Sequence, residues 1–452
     1  MWRTYVICVL IGLLLVSTGG NVLLTRQILA AQSDADRLRQ RLANVPAPGP
    51  TTTTVAAVPG PTVAANAADR QLLQQIEDQV ATLRGLQPKN AVPLKFLDQP
   101  ALQQYFIDRF NQDYLPGERE SDQKLLTVLG LIKPNETVVQ ILLDVLQEQV
   151  IGVYNNDDKI MYLVADNGQF GPDEKATFAH EYTHALQDQY FDLSRLAPKH
   201  PTNDDRSLAI EALTEGDATL MQRLWAQEQM TPDEINQLGQ GGADSKLLSA
   251  PLFLREQLLF PYSDGFNFIR QIYQSSGFAG VDDVFRNPPE STEQILHPDK
   301  YRTHEPPIDV RLPDFAAQAS LGPGWRTINS NIFGELDLRL ILTQLTNSTR
   351  GVRGASGWGG DRWALLEKDG QQALVIKSVW DTETDARTFF DTFGLGLKNR
   401  FPDAKQDEAS TSRQALTAAT AATEVRRNGA TVSVVISFDR PTAESLAAVV
   451  GI

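Results

Sequence analysis

The chain has 452 residues, a hydrophobic fraction of 42% and a formal net charge of −15, enough for at least two folded units. With a pI near 4.9 and no Lys/Arg cluster interleaved with aromatics, the acidic balance argues against nucleic acid as a partner. Cys8 is the only cysteine, so disulfides within the chain and cysteine-ligated metal sites are excluded, and any metal must be held by His, Asp and Glu.

From Tyr5 to Leu24 there is no charged residue, which suits a membrane-spanning helix or a signal-peptide core. Residues 1–25 are expected to be an uncleaved N-terminal anchor, followed by a polar helix over 26–44. Residues 45–68, rich in Pro, Thr, Ala and Gly, have the composition of a solvated stalk. Arg26, Arg37, Arg39 and Arg41 follow the apolar segment while only Arg3 precedes it, against an exported body by the positive-inside rule. The stalk nevertheless places the body outside the cytoplasm, membrane-anchored and single-pass.

Folded sequence resumes near Asp69, where Leu72, Leu73, Ile76, Val80 and Leu83 recur at helical spacing. Gly152 to Tyr154 and Ile160 to Val164 read as strands joined by a turn of Asn and Asp residues, the second either an edge strand on which an extended peptide can lie or a plain core strand. A helix opens at Gly171-Pro172 with Asp173 and Glu174 in its first turn, and another runs from about Asp205 to Ala226. Ser263 is expected to cap a helix carrying Phe266, Ile269, Ile272 and Tyr273 and ending at Gly277. Beyond about Gly322, hairpins are expected over Trp363 to Trp380 and Thr423 to Phe438, with a helix after Asp381. The boundaries are thus a catalytic unit at 69–322 and a small α+β accessory domain at 323–452.

His180-Glu181-Tyr182-Thr183-His184 carries the chemistry. Residues four apart share a helix face, so both imidazoles can reach one zinc ion with Glu181 beside the open coordination position. Phe178, Tyr182, Ala185 and Leu186 form an apolar face opposite, as a buried helix needs. Zinc requires a third protein ligand. On spacing alone either Glu211 or Glu215 of the next helix can supply it. Asp188, Glu211, Asp217 and Thr219 are candidates to orient the imidazoles. Ser291-Thr292-Glu293-Gln294 reads as a capping box before His297, and His297 or Tyr301 is a candidate donor to an oxyanion.

The string HEYTHALQD from His180 to Asp188 resembles the thermolysin-type motif, and Glu215-Gly216-Asp217-Ala218 resembles the Glu-Gly-x-Ala segment of zincin-clan peptidases of the gluzincin type. The stretches Gln149 to Asp192, Pro261 to Gly265 and Ser291 to Tyr301 are similar to membrane-anchored bacterial zinc peptidases of that clan. The Asn-Glu-x-x-x-Asp form of the thermolysin third-ligand helix is missing. The resemblance implies an α+β, mainly helical zincin-like catalytic domain with a small sheet, and a Zn2+ site of His180, His184 and Glu215. A ligand glutamate followed four residues later by an acid would instead favour Glu211; the small Gly216, which lets a neighbour approach beside the metal, favours Glu215. The implied activity is hydrolysis of a protein or peptide substrate with Glu181 and His297 as catalytic residues. The alternative is a non-enzymatic binding protein that retains the fold and a structural zinc.

Overall fold

The computed structural model describes residues 67–146, 152–164, 170–198, 201–239 and 246–452. Helix α1 (Ala67–Arg84) buries Leu73, Ile76 and Val80, one stripe at helical period. Strand β1 (Leu94–Leu97) leads into α2 (Gln99–Asp113), capped by the Asp98 side chain, then α3 (Pro116–Leu129) and α4 (Val138–Leu146). Strands β2 (Gly152–Asn155) and β3 (Ile160–Val164) form the expected hairpin. Their sheet has the order β1-β3-β2, with β1 and β3 parallel. Ile160 to Val164 is therefore the middle strand, not the edge. The short Leu94–Leu97 segment is too brief to show a period and covers β3 from far upstream; β2 is left as an edge.

Helix α5 (Pro172–Phe191) begins at the Gly171-Pro172 signal and is an interior helix, buried without a break from Ala176 to Asp188. After α6 (Leu193–Leu196), α7 (Asp204–Gln229) is capped by Asn203, whose side chain accepts from the Arg206 N–H. Helices α8 (Pro232–Gln237), α9 (Lys246–Ser249) and α10 (Leu252–Phe260) follow. Ser263 does not cap a helix. It lies in a π-helical turn, Pro261–Gly265, that runs without interruption into α11 (Phe266–Arg286), and the chain bends at Gly277, where φ is 62°.

This π turn presses on α7. A Cβ on Gly216 would lie 2.4 Å from the Gly265 carbonyl oxygen, and one on Gly265 would lie 2.2 Å from that of Ala212. Backbone thus meets backbone at both positions, and no side chain fits either. Helices α12 (Thr292–Leu296), capped by Ser291, and α13 (Pro298–Arg302) complete this half.

The remainder is built on the larger sheet. Its elements are β4 (Arg326–Asn331), α14 (Gly334–Leu345), α15 (Ser348–Ala355), β5 (Trp358–Lys368), β6 (Gln371–Trp380), α16 (Glu383–Arg400), β7 (Lys405–Ala409), β8 (Arg413–Thr417), β9 (Ala422–Asn428), β10 (Thr431–Ser437) and α17 (Arg440–Val450). Both expected hairpins form, turning at Asp369-Gly370 and at Gly429, all with positive φ. The expected fold class needs correction here. Instead of a small unit of two hairpins there is a seven-stranded antiparallel sheet, ordered β4-β5-β6-β10-β9-β8-β7. Strands β4 and β7 read RTINSN and KQDEA; they show no apolar alternation and are recruited by ladder hydrogen bonds to β5 and β8. The helix after β6 is capped by Thr382, one residue past Asp381.

The expected membrane anchor is also corrected, and with it the membrane-anchored, extracytoplasmic placement. No described helix is long and apolar enough to cross a membrane. Charged residues recur along even the longest, α7. The segments 1–25 and 26–44, and the stalk up to residue 66, lie outside the described residues.

One apolar cluster runs from Leu73 through Tyr262 to Ile436, joining helices of the first half to the inner face of the larger sheet. Ion pairs line the junction. His297 Nε2 lies 2.9 Å from the Glu335 carboxylate of α14, and the Lys300 ammonium is shared by Glu293, Glu305 and Asp381.

Two outcomes follow from this packing. Gly216→Ala should lower thermal stability by about 1–3 kcal/mol, since the new methyl meets backbone that cannot swing away; calorimetry reads this directly. The hydrogen bond to Glu335 raises the His297 pKa. The pair's stabilisation is thus fully present below the ordinary imidazole value near 6.5 and disappears as pH climbs through the raised folded value. With the ring half exposed, the effect should stay below about 1 kcal/mol. Unfolding midpoints between pH 6 and 9 should fall more steeply in the parent than in His297→Gln.

Candidate metal centre

Helices α5 and α7 pack face to face. The first supplies His180 and His184 from one side, and the second supplies Glu215. The Glu215 Oε2 atom lies 3.1 Å from His180 Nε2 and 3.4 Å from His184 Nε2, and the two Nε2 atoms are 3.1 Å apart. All three residues are buried, and among the described residues this is the group able to hold a metal ion. Donor atoms at three corners of a tetrahedron around an ion at ~2.05 Å are roughly 3.3 Å apart. Two neutral imidazoles and a carboxylate are zinc's usual donors, so the residues present fit that ion. Glu211, one turn earlier, is buried as well but is not in the cluster.

Electrostatics divide the two acids beside the imidazoles. Burial opposes ionisation of Glu215, but His184 and His180 outweigh it and hold the carboxylate below its usual range. Its charge in turn raises the His184 pKa against burial, whereas burial lowers that of His180. For Glu181 burial outweighs the opposing pull of His184 and the Tyr154 N–H and pushes its carboxyl up to about 8. Its Oε2 accepts the Tyr154 backbone N–H at 2.8 Å. Its Oε1 is buried and has no hydrogen-bond partner among the described residues.

Around the cluster the expected orienting residues are partly reassigned. The His184 Nδ1 atom lies 2.9 Å from Gln187 Oε1, a residue not singled out in the sequence although it sits one turn beyond His184. Asp217 accepts from Gln187 Nε2 at 2.9 Å and so acts one residue removed from the imidazole. Asp188 serves the neighbouring sheet instead, accepting from the Tyr154 hydroxyl and pairing with Lys159. Thr219 Oγ1 bonds neither ring, and His180 Nδ1 has no hydrogen-bond partner among the described residues. The buried ring of Tyr262, carried by the π turn, lies 6.3 Å from the His180 ring at 29° and walls that side.

His297 and Tyr301 are not brought into the cluster. His297 is held by Glu335 across the junction, and the Tyr301 hydroxyl donates to the Asn287 carbonyl. Each has a structural partner that explains its place.

Residues 324–450, from just before β4 to the end of α17, match a domain of unknown function (DUF8575). No curated protein matches the chain. A solved structure from Chloroflexus aurantiacus, described as a candidate hydrolase with a novel fold, aligns with 54% of this chain and 91% of its own at 18% identity. The TM-score is 0.36, a likeness too small to carry an argument about fold or activity.

Glu215→Ala should lose zinc at a chelator concentration that the parent withstands, while Glu211→Ala should keep most of it. Metal content after graded chelator dialysis distinguishes the two, and the reverse order would move the third ligand to Glu211.

Proposed function

We propose that this protein is a zinc-dependent peptidase in which Glu181 is the general base. One observation carries the proposal: three buried donor atoms, 3.1 to 3.4 Å apart, converge beside a glutamate that is not one of them. A structural zinc site is closed by four protein ligands. Here three converge among the described residues, which favours an open, catalytic site over a non-enzymatic one.

Zinc held by His180, His184 and Glu215 supplies a Lewis acid and lowers the pKa of a bound water toward ~7. The protein's own part follows from the geometry. Glu181 accepts a proton at Oε1 and returns it to the leaving amine, while the Tyr154 N–H fixes Oε2 and hence the direction of the carboxylate. Burial has already raised its proton affinity toward that of a base working near neutrality.

Glu181→Gln keeps the shape but cannot take the proton. It should fold, bind zinc like the parent, and cleave a peptide library ~10² to 10⁴ times more slowly. Chelation of the parent should abolish cleavage, and added zinc should restore it. A Glu181→Gln protein as fast as the parent, or a parent that holds zinc and cleaves nothing, would end the peptidase proposal.

A further inference from the structure

We infer that Gln187, held in place by Asp217 and by Arg84 of α1, is a positioning residue that selects the metal-binding tautomer of His184. The inference rests on the metal centre proposed above. It concerns how this chain prepares one of the ligands.

The argument is one of donors and acceptors. An amide side chain can face either way, and its neighbours decide which. One end of the Gln187 amide lies 3.0 Å from the Thr214 backbone carbonyl and 2.9 Å from Asp217 Oδ2. Both are acceptors, so that end must be the NH2 group. The other end is then the carbonyl oxygen, and it lies 2.9 Å from His184 Nδ1. A carbonyl oxygen can only accept, so Nδ1 carries the hydrogen. Nε2, which faces His180 Nε2 and Glu215 Oε2, is then the nitrogen left to give a lone pair to an ion.

The chain of constraint continues outward. Asp217 is fully buried and accepts from Arg84 Nε at 3.1 and 3.2 Å on its two oxygens. Arg84, itself only 1% exposed, also pairs with Asp282 of α11 at 2.8 Å and lies over the Phe278 ring at 4.6 Å. A guanidinium has only donors, so both Asp217 oxygens accept from it. Asp217 is thereby kept as an acceptor, and its acceptor oxygen orients the amide. Three helices meet in this relay: α1 through Arg84, α7 through Asp217 and Thr214, and α5 through Gln187. The terminal residue of α1 is thus connected to a metal ligand through two intervening side chains.

A merely structural role and a positioning role separate in the zinc affinity. Gln187→Met keeps the volume but removes all three hydrogen bonds of the amide, and Asp217→Asn leaves a single acceptor oxygen for two donors, Arg84 Nε and Gln187 Nε2. Zinc dissociation constants by competition with a fluorescent chelator, and melting of each metal-free protein, should be measured for the parent, both variants and the double variant. Gln187→Met should weaken zinc binding ~10- to 100-fold, and Asp217→Asn should weaken it too. Because Asp217 acts through Gln187, the double variant should bind about as Gln187→Met alone. Parental affinity in Gln187→Met, or losses that multiply in the double variant in step with lower metal-free melting temperatures, would overturn the inference. If Gln187→Met does not fold, Asp217→Asn decides alone: folded with parental affinity, it ends the proposal, and folded with weakened affinity at an unchanged metal-free melting temperature, it sustains it. A parent that binds no zinc would end the metal centre itself, an outcome distinct from a zinc-binding parent with indifferent variants.

Discussion

Two imidazoles and a carboxylate sit with their donor atoms about 3 Å apart, out of reach of bulk water, and much of the first half of the chain is arranged around them. Polar groups at that separation in a dry interior are costly unless each finds a partner. A cation of zinc's size and charge satisfies all three together. Holding them there requires α5 and α7 to be nearly wholly interior, which explains why neither shows a one-sided apolar stripe: their buried faces include His, Glu, Gln, Asp and Thr.

The packing around this pair is correspondingly close. Gly216 and Gly265 let the π turn approach α7 until backbone touches backbone, and the same turn places Tyr262 against His180. On another side, Asp188 holds the Tyr154 hydroxyl and Lys159, so the β2-β3 hairpin is fastened to α5. The Tyr154 N–H then meets Glu181. One residue of an edge strand thus bonds through its side chain to Asp188 and through its backbone to Glu181. A third buttress, from Arg84 through Asp217 to Gln187, anchors α1 to the same helix.

The larger sheet contributes differently. It lies against the helical half through a continuous apolar cluster and a ring of ion pairs in which His297, Lys300 and Glu335 take part. Half-exposed pairs of that kind add little energy, but they fix which surfaces meet. Of the expected capping box only half forms: Ser291 accepts from the Gln294 N–H, while the Gln294 side chain accepts from the Glu290 N–H, and the helix it opens carries His297 toward the junction with Glu335. A histidine in a loop can be read as a catalytic donor or as half of an ion pair, and only its neighbour in space tells which.

Local chemistry was legible along the chain wherever the signal had a short period. The four-residue spacing of His180 and His184, the Gly171-Pro172 helix start, the helix expected from about Asp205 to Ala226 and both glycine-containing hairpins depend on contacts within a turn or two. So does the eligibility of Glu215, which spacing alone could not separate from Glu211. What separated them was the packing of α7 on α5, which brings the Glu215 carboxylate to within 3.1 and 3.4 Å of the two imidazoles and leaves Glu211 out of the cluster. Non-local pairing likewise decided that β3 lies in the middle of its sheet and that the polar segments RTINSN and KQDEA become strands. Gln187 is the clearest case: a glutamine looks the same in any helix, and its orientation comes from a carbonyl, a carboxylate and a guanidinium on two other helices. Sequence by itself determined which residues could be ligands, base and turns, because spacing along a helix or hairpin is a covalent property; tertiary structure alone decided which of them meet, because hydrogen-bond partners and burial are properties of the space between elements.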